Sequence, residues 1–236
     1  MSAKPRTIVF DVNETLLDLA PIERLFVEWF CDGRIMREWF AQLVLYSQSL
    51  TLADRYVDFG EIAVAVLDMV ARLHQQTLPR GAASALKSAI GRLPAHEDVA
   101  PALSRMRDAG LRLVTLTNSG AEAQRSQLDH AGIAHLFDAQ FSVERIRAFK
   151  PALSTYASVA TALDVAPSEL MLVACHSWDI IGARAAGFET GFVARTHNAQ
   201  LDLAGTQATY AALSLRDLAS RIIAYPLKVN NRSSKT

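Results

Sequence analysis

The chain has 236 residues, 50% of them hydrophobic, and its 24 basic and 24 acidic residues balance to a net charge of zero. That is enough for one buried core, or for one domain that carries a sizeable insertion. The balanced charge argues against a nucleic-acid partner, and no apolar run reaches the ~18 residues of a membrane span. With no apolar signal segment and only two cysteines, Cys31 and Cys175, we expect a cytoplasmic protein that acts on small molecules.

Short, apolar, β-rich runs recur along the chain, with stretches long enough for helices between them. The strand candidates are Thr7 to Asp11, Leu111 to Thr117, Phe137 to Val143, Leu170 to Cys175 and Thr190 to Arg195. Three predicted helices each end at a glycine, which suits a left-handed C′ position: Val99 to Ala109, Ala121 to Ala131 and Ile180 to Ala186. This alternation predicts an α/β fold with a Rossmann-like, doubly wound parallel sheet.

The segment from about Leu17 to Leu93 departs from the alternation because it has no convincing strand. Apolar residues recur there at three- and four-residue spacing in Ile22 to Phe30, Met36 to Ser49 and Tyr56 to His74. We therefore expect residues 17–93 to form an inserted helical cap domain that excludes water from a site at the end of the first strand. Residues 1–16 and 94–225 then form the core domain, and 226–236 a flexible tail.

Polar residues follow the ends of four predicted strands. In chain order they are Asp11, then Thr117 and Asn118, then Lys150 before Pro151, and finally His176, Trp178 and Asp179. The ends of strands in a doubly wound sheet converge on one crevice. A carboxylate is costly to desolvate at the end of a buried strand, and a functional site is the usual compensation. Asp11 is therefore the candidate nucleophile.

These four groups, in this order, resemble the motifs of the haloacid dehalogenase superfamily of aspartate-nucleophile hydrolases, and the resemblance runs from Thr7 to about Ile223. The phosphatase branch has a second Asp in its first motif and metal-binding carboxylates in its fourth. Here Asn13 stands where the first motif would have its second Asp, and Cys175 stands where the fourth motif would have a metal-binding carboxylate. Since magnesium prefers oxygen ligands, we expect neither a metal nor a cofactor.

The chain resembles in particular the L-2-haloacid dehalogenase branch, whose first motif also lacks the second Asp. Further matches are Thr117-Asn118, Lys150-Pro151 followed by Tyr156, Trp178-Asp179 followed by Gly182-Ala183-Arg184, and the cap segment Arg55-Tyr56-Val57-Asp58-Phe59. The resemblance implies that Asp11 displaces halide from a short 2-haloacid, a small halogenated carboxylic acid, and that water hydrolyses the resulting ester to a 2-hydroxy acid of inverted configuration. It also suggests a homodimer.

The resemblance implies four catalytic residues. Lys150 would hold Asp11 and keep it ionised, because a nearby positive charge lowers the pKa of a carboxyl group. Thr15 would orient Asp11 by a hydrogen bond. Asp179 would orient Lys150 or the hydrolytic water.

The same resemblance implies a set of substrate-binding residues. The substrate carboxylate would meet Thr117 and the backbone N–H groups of Val12 and Asn13, and Asn118 would help to receive the halide. The other residues expected at the substrate are Phe40, Tyr156, His176 and Trp178.

Two positions depart from the dehalogenase branch. Phe40 stands where those enzymes carry an arginine that contacts the halide, so that charge is missing unless Arg34 or Arg37 supplies it. His176 replaces an asparagine, and could either position water or donate to the halide. Glu14 is expected to face solvent or the cap. Two alternatives therefore stay open, a small-molecule phosphatase of the same fold and a catalytically silent binding protein.

Overall fold

A six-stranded parallel sheet lies at the centre of the computed structural model, which describes residues 6–224. The strands are β1 (Thr7–Phe10), β2 (Arg112–Thr117), β3 (Ala139–Ser142), β4 (Leu170–Ala174), β5 (Glu189–Val193) and β6 (Tyr210–Ala212). Their order is β3-β2-β1-β4-β5-β6, and every neighbouring pair is parallel. The predicted doubly wound sheet is confirmed. The tail predicted at 226–236 lies outside the described residues.

Four helices lie between β1 and the next core helix, in the segment predicted to be helical. They are α1 (Ala20–Phe30), α2 (Ile35–Leu52), α3 (Phe59–Leu73) and α4 (Ala82–Gly91). The third begins later than predicted because the side chain of Asp58 caps it, accepting a hydrogen bond from Gly60 N at 2.8 Å. The described part of this segment contains no strand, only isolated bridges at Leu17 to Asn13 and to Ala95.

The remaining α-helices lie between the strands of the sheet or, in the case of the last, after the final strand. They are α5 (Val99–Asp108), α6 (Ala121–His130), α7 (Leu153–Leu163), α8 (Ser177–Ala185) and α9 (Leu215–Ile223). The glycines after α5 and α8 have positive φ, 79° at Gly110 and 88° at Gly187, as the helix endings predicted. Among residues 6–224, no helix has the length and apolar character that crossing a membrane requires.

The central strand β1 positions the site. Ile8, Val9 and Phe10 are fully buried, and β1 pairs with β2 on one side and with β4 on the other. The strand order reverses at this point, and in open α/β sheets ligands bind at such a reversal, outside the carboxyl ends of the strands. Asp11 follows β1 directly, and its N–H donates to Val173 O at 3.0 Å.

Candidate active site

The loops that follow β1, β2 and β4 bring most of the predicted site residues together. These residues line a small chamber. Its polar lining is Asp11, Asn13, Thr117, Asn118 and His176, and its apolar lining is Phe40, Val44, Phe59 and Trp178. Phe40, Val44 and Phe59 come from α2 and α3, so the helical insertion closes one side of the chamber.

Lys150 joins two carboxylates beneath the chamber. Its Nζ donates to Asp11 Oδ1 at 2.7 Å, to Asp179 Oδ2 at 2.6 Å and to Leu116 O at 3.1 Å, which uses all three of its N–H groups. The side chains of Lys150 and Asp179 are fully buried. Burial alone would lower the pKa of Lys150, but the two carboxylates raise it above its ordinary value, so the ammonium stays charged.

Asp11 is held as an ionised carboxylate. Burial alone would raise its pKa, but the charge of Lys150 and the hydrogen bond from His176 outweigh burial and hold the pKa well below its usual range. Thr15 Oγ1 donates to Asp11 Oδ2 at 2.6 Å and accepts from Cys175 N at 3.0 Å, which fixes the direction of the hydroxyl. Asp11 is therefore charged, oriented and at the edge of the chamber.

His176 contacts two carboxylates at once. Its Nδ1 lies 3.2 Å from Asp11 Oδ2 and its Nε2 lies 2.9 Å from Glu14 Oε2. Burial alone would lower the pKa of this imidazole, but Cys175 and the two carboxylates raise it well above its usual range. The ring stacks on Phe40, with centroids 5.6 Å apart, and on Trp178, with centroids 5.0 Å apart.

From the sequence, two directions stay open for Glu14, toward solvent or toward the cap. Glu14 does not face solvent: it is 3% exposed, and its carboxylate binds both His176 and Arg37 of α2. Its φ of 66° turns the side chain inward between Asn13 and Thr15. Of the two arginines that could replace the missing cap arginine, Arg37 reaches Glu14, whereas Arg34 pairs with Asp32 at the surface.

Asn118 and Thr117 stand at the end of β2. Asn118 Oδ1 accepts from Lys150 N at 3.0 Å, so this side chain ties the β2 end to the loop that carries the lysine. Thr117 Oγ1 accepts from Ser119 N at 3.2 Å. Both residues line the chamber, as expected from the sequence.

Three of the predicted substrate-binding residues have other contacts. The side chain of Asn13 crosslinks two elements, because it donates to Ser119 Oγ at 3.0 Å and accepts from Gln127 Nε2 at 3.1 Å. Tyr156 is fully buried beneath the chamber, where its hydroxyl donates to Asp179 Oδ1 at 2.6 Å. Val12 is also fully buried, which leaves its backbone as the part near the site.

The donor atoms near Asp11 do not fit a magnesium ion. Asp11, Cys175 and His176 form a cluster with ligand atoms within 4.8 Å of one another, but this set offers one carboxylate, and Lys150 already binds that. Burial raises the pKa of Cys175, so its sulfur is a neutral thiol, a poor ligand for a hard cation. The second carboxylate, Asp179, is also bound to Lys150. The lysine ammonium thus occupies the position between the carboxylates that a cation would need.

Comparison with known proteins agrees with the motifs. The sequence matches the family of haloacid dehalogenase-like hydrolases over residues 5–187, more than half of the chain. The chain belongs to the haloacid dehalogenase-like hydrolase family. The family resemblance predicted from the four strand-end motifs is confirmed.

Several members of the haloacid dehalogenase-like family are similar to this chain over most of their length. The (S)-2-haloacid dehalogenase 1 of Pseudomonas sp. (strain CBS-3) is 30% identical over 83% of this chain and 87% of that protein. The (S)-2-haloacid dehalogenase of Pseudomonas sp. (strain YL) is 30% identical over 81% of this chain and 83% of that protein. The structure of L-2-haloacid dehalogenase from Xanthobacter autotrophicus shares the fold, with a TM-score of 0.83 at 24% identity over 94% of this chain and 100% of that one.

Proposed function

We propose that the protein is a hydrolase that cleaves the carbon–halogen bond of short 2-haloacids. The observation that carries the proposal is the buried Asp11 carboxylate, kept ionised by the Lys150 ammonium 2.7 Å away and facing a small chamber. The names of the relatives, (S)-2-haloacid dehalogenases, support the same reaction.

In the first step a carboxylate oxygen of Asp11 attacks the halogen-bearing carbon from the side opposite the halogen. The carbon–halogen bond breaks, halide leaves with the bonding electrons, and an ester forms between Asp11 and the substrate. Thr15 and Lys150 hold the carboxylate in one orientation. This favours attack because the carboxylate loses little conformational entropy on reaching the transition state.

The other chamber residues place the substrate for this attack. The substrate carboxylate binds to the Thr117 hydroxyl and to the backbone N–H groups of Val12 and Asn13. The halide meets Asn118 and the positive edge of the Trp178 ring, since Phe40 brings no charge. The helical insertion, residues 17–93, acts as a cap that keeps bulk water from the charged pair.

In the second step water attacks the aspartyl carbonyl carbon of the ester. The bond between that carbon and the substrate oxygen breaks, and a 2-hydroxy acid of inverted configuration leaves. Asp11 returns as the carboxylate. Asp179 and Tyr156 hold Lys150 from below through both steps, so they act as positioning residues.

The test measures halide release from L-2-chloropropionate by the purified protein in the presence of EDTA. We expect turnover that the chelator leaves unchanged and that Asp11→Asn abolishes. A parallel assay supplies a generic phosphate ester with magnesium. Release of phosphate without any release of halide would overturn the proposal in favour of a phosphatase.

A further inference from the structure

We propose that His176 is the general base of the ester-hydrolysis step and that Glu14 positions it. The inference rests on the proposed function, because it assigns a group to the second half of that reaction. The geometry is that of a nucleophile, a histidine and a carboxylate in sequence, Asp11 to His176 to Glu14. A base held by a third group is the arrangement by which enzymes activate water or a hydroxyl.

The position of the imidazole favours this role. Nδ1 lies 3.2 Å from the Asp11 carboxylate, so a water beside them in the chamber can contact both Nδ1 and the aspartyl carbon. Nε2 lies 2.9 Å from Glu14, which keeps the proton on that nitrogen once the ring is neutral. Stacking on Phe40 and Trp178 fixes the plane of the ring.

The other acidic side chain near the nucleophile is less suited to act as base. Both oxygens of Asp179 already accept hydrogen bonds, one from Lys150 at 2.6 Å and one from Tyr156 at 2.6 Å. Its side chain is fully buried and is not part of the chamber lining. His176 does line the chamber, where water and substrate meet.

The proton balance of the reaction fits a histidine that starts charged. In the free protein His176 is an imidazolium between two carboxylates. Ester formation removes the negative charge of Asp11, so the proton on Nδ1 loses its partner and passes to solvent water, while the halide leaves separately as the anion. The ring is then neutral, with Nδ1 open toward the ester and Nε2–H bonded to Glu14.

Water then adds its hydroxyl to the aspartyl carbonyl carbon while its proton passes to Nδ1 of His176. The adduct breaks its bond to the substrate oxygen, which takes the proton of the added hydroxyl and leaves as the 2-hydroxy acid. Asp11 is again a carboxylate and His176 again an imidazolium. The sum is haloacid plus water giving hydroxy acid, halide and one proton.

The test follows the ester itself in His176→Gln by rapid acid quench and mass spectrometry of the whole protein, with L-2-chloropropionate as substrate. We expect a burst of one halide per site, a protein heavier by one carboxyethyl group, and ester hydrolysis slower by at least about 100-fold. The wild-type protein should show no such accumulation. His130→Gln, which changes an exposed histidine on α6, is the matched control and should behave as wild type.

Glu14→Gln gives a second form of the test with the imidazole ring in place. Here we expect ester to accumulate as well, with hydrolysis slowed less than in H176Q. If the wild type turns over and both variants slow the halide burst without accumulating ester, His176 and Glu14 serve the first step or the fold, and the inference is overturned. If the wild-type protein releases no halide at all, both the proposed function and the role of His176 as general base are overturned.

Discussion

The Nζ atom of Lys150 lies 2.7 Å from Oδ1 of Asp11, and both side chains are buried at the carboxyl end of the sheet. The same ammonium also lies 2.6 Å from Asp179, so one cation compensates two buried carboxylates. Removing one member of such a group leaves a charge in an environment that cannot solvate it.

Lys150→Met should therefore reduce both activity and stability. Without the ammonium, the pKa of Asp11 rises, so less of it is ionised, and its carboxylate loses one of the contacts that orient it. Halide release should therefore fall by at least about 100-fold. The free energy of unfolding should fall by about 3–5 kcal/mol, measured by urea denaturation. Lys87→Met removes an exposed lysine of α4 and serves as the control. Near-normal halide release by K150M would contradict the pairing argument.

Thr15→Val should separate orientation of Asp11 from its charge. The variant keeps the shape of the side chain but loses the hydroxyl that donates to Asp11 at 2.6 Å and accepts from Cys175 N at 3.0 Å. We expect kcat for halide release to fall by about 10- to 100-fold and stability to fall by about 1–3 kcal/mol, because a buried N–H is left without an acceptor. Thr15→Ser keeps the hydroxyl and should recover most of both. Equal behaviour of the two variants would argue against the hydrogen bond.

Gly182→Ala should disturb the residues that support Lys150 and Asp179. A Cβ at this position in α8 would lie 2.6 Å from Pro151 Cβ and 2.6 Å from the Tyr156 hydroxyl, closer than atoms can approach. Pro151 adjoins Lys150, so relief of the clash moves the lysine or the tyrosine that supports Asp179. We expect a loss of stability of about 1–3 kcal/mol and a large loss of halide release. Gly91→Ala, at a site with no atom within 4 Å of the new Cβ, should be neutral in both assays.

The buried Glu14 carboxylate should make the protein sensitive to acid. Burial alone would raise the pKa of Glu14. The hydrogen bond and charge of His176, together with the charge of Arg37, outweigh burial and lower the pKa from an ordinary 4.5 to about 2. A carboxyl group whose pKa is lowered by folding stabilises the protein at pH values above its pKa in the unfolded chain. This stabilisation is lost as the pH falls through the pKa in the folded protein.

Between pH 4.5 and pH 2, the free energy of unfolding of wild type should therefore fall by about 3 kcal/mol more than that of Glu14→Gln. Urea denaturation at a series of pH values measures both curves. Parallel curves for the two proteins would show that Glu14 is not held in its charged form by folding.

The sequence predicts the convergence of Asp11, Lys150 and Asp179 because the ends of parallel strands meet at one edge of the sheet. It leaves the direction of Glu14 open between solvent and the cap, because that direction depends on a left-handed backbone turn and on partners 23 and 162 residues away, Arg37 and His176. A charged residue between Asn13 and Thr15 carries no local signal that tells a buried position from an exposed one.

Three smaller elements were not predicted from the sequence. β6 has only three residues, and α4 and α9 were not identified, although α9 packs on β6 and α5. β6 is too short for periodicity to distinguish it from a loop. In contrast, α9 buries residues at helical spacing, Leu215, Leu218, Ala219 and Ile222, a signal that the sequence does carry. The placement of Tyr156 beneath Asp179 follows from packing, since spacing along the chain does not say which layer of a site a side chain occupies.

The charges around the nucleophile form one alternating series, in which Arg37, His176 and Lys150 are positive and Glu14, Asp11 and Asp179 are negative. Their sum is zero, as is the net charge of the whole chain. A small anionic acid therefore meets no long-range attraction, and its rate of association should depend little on ionic strength. When Asp11 is esterified and His176 gives up its proton, one negative and one positive charge are lost together, so the series stays neutral in the middle of the reaction as well.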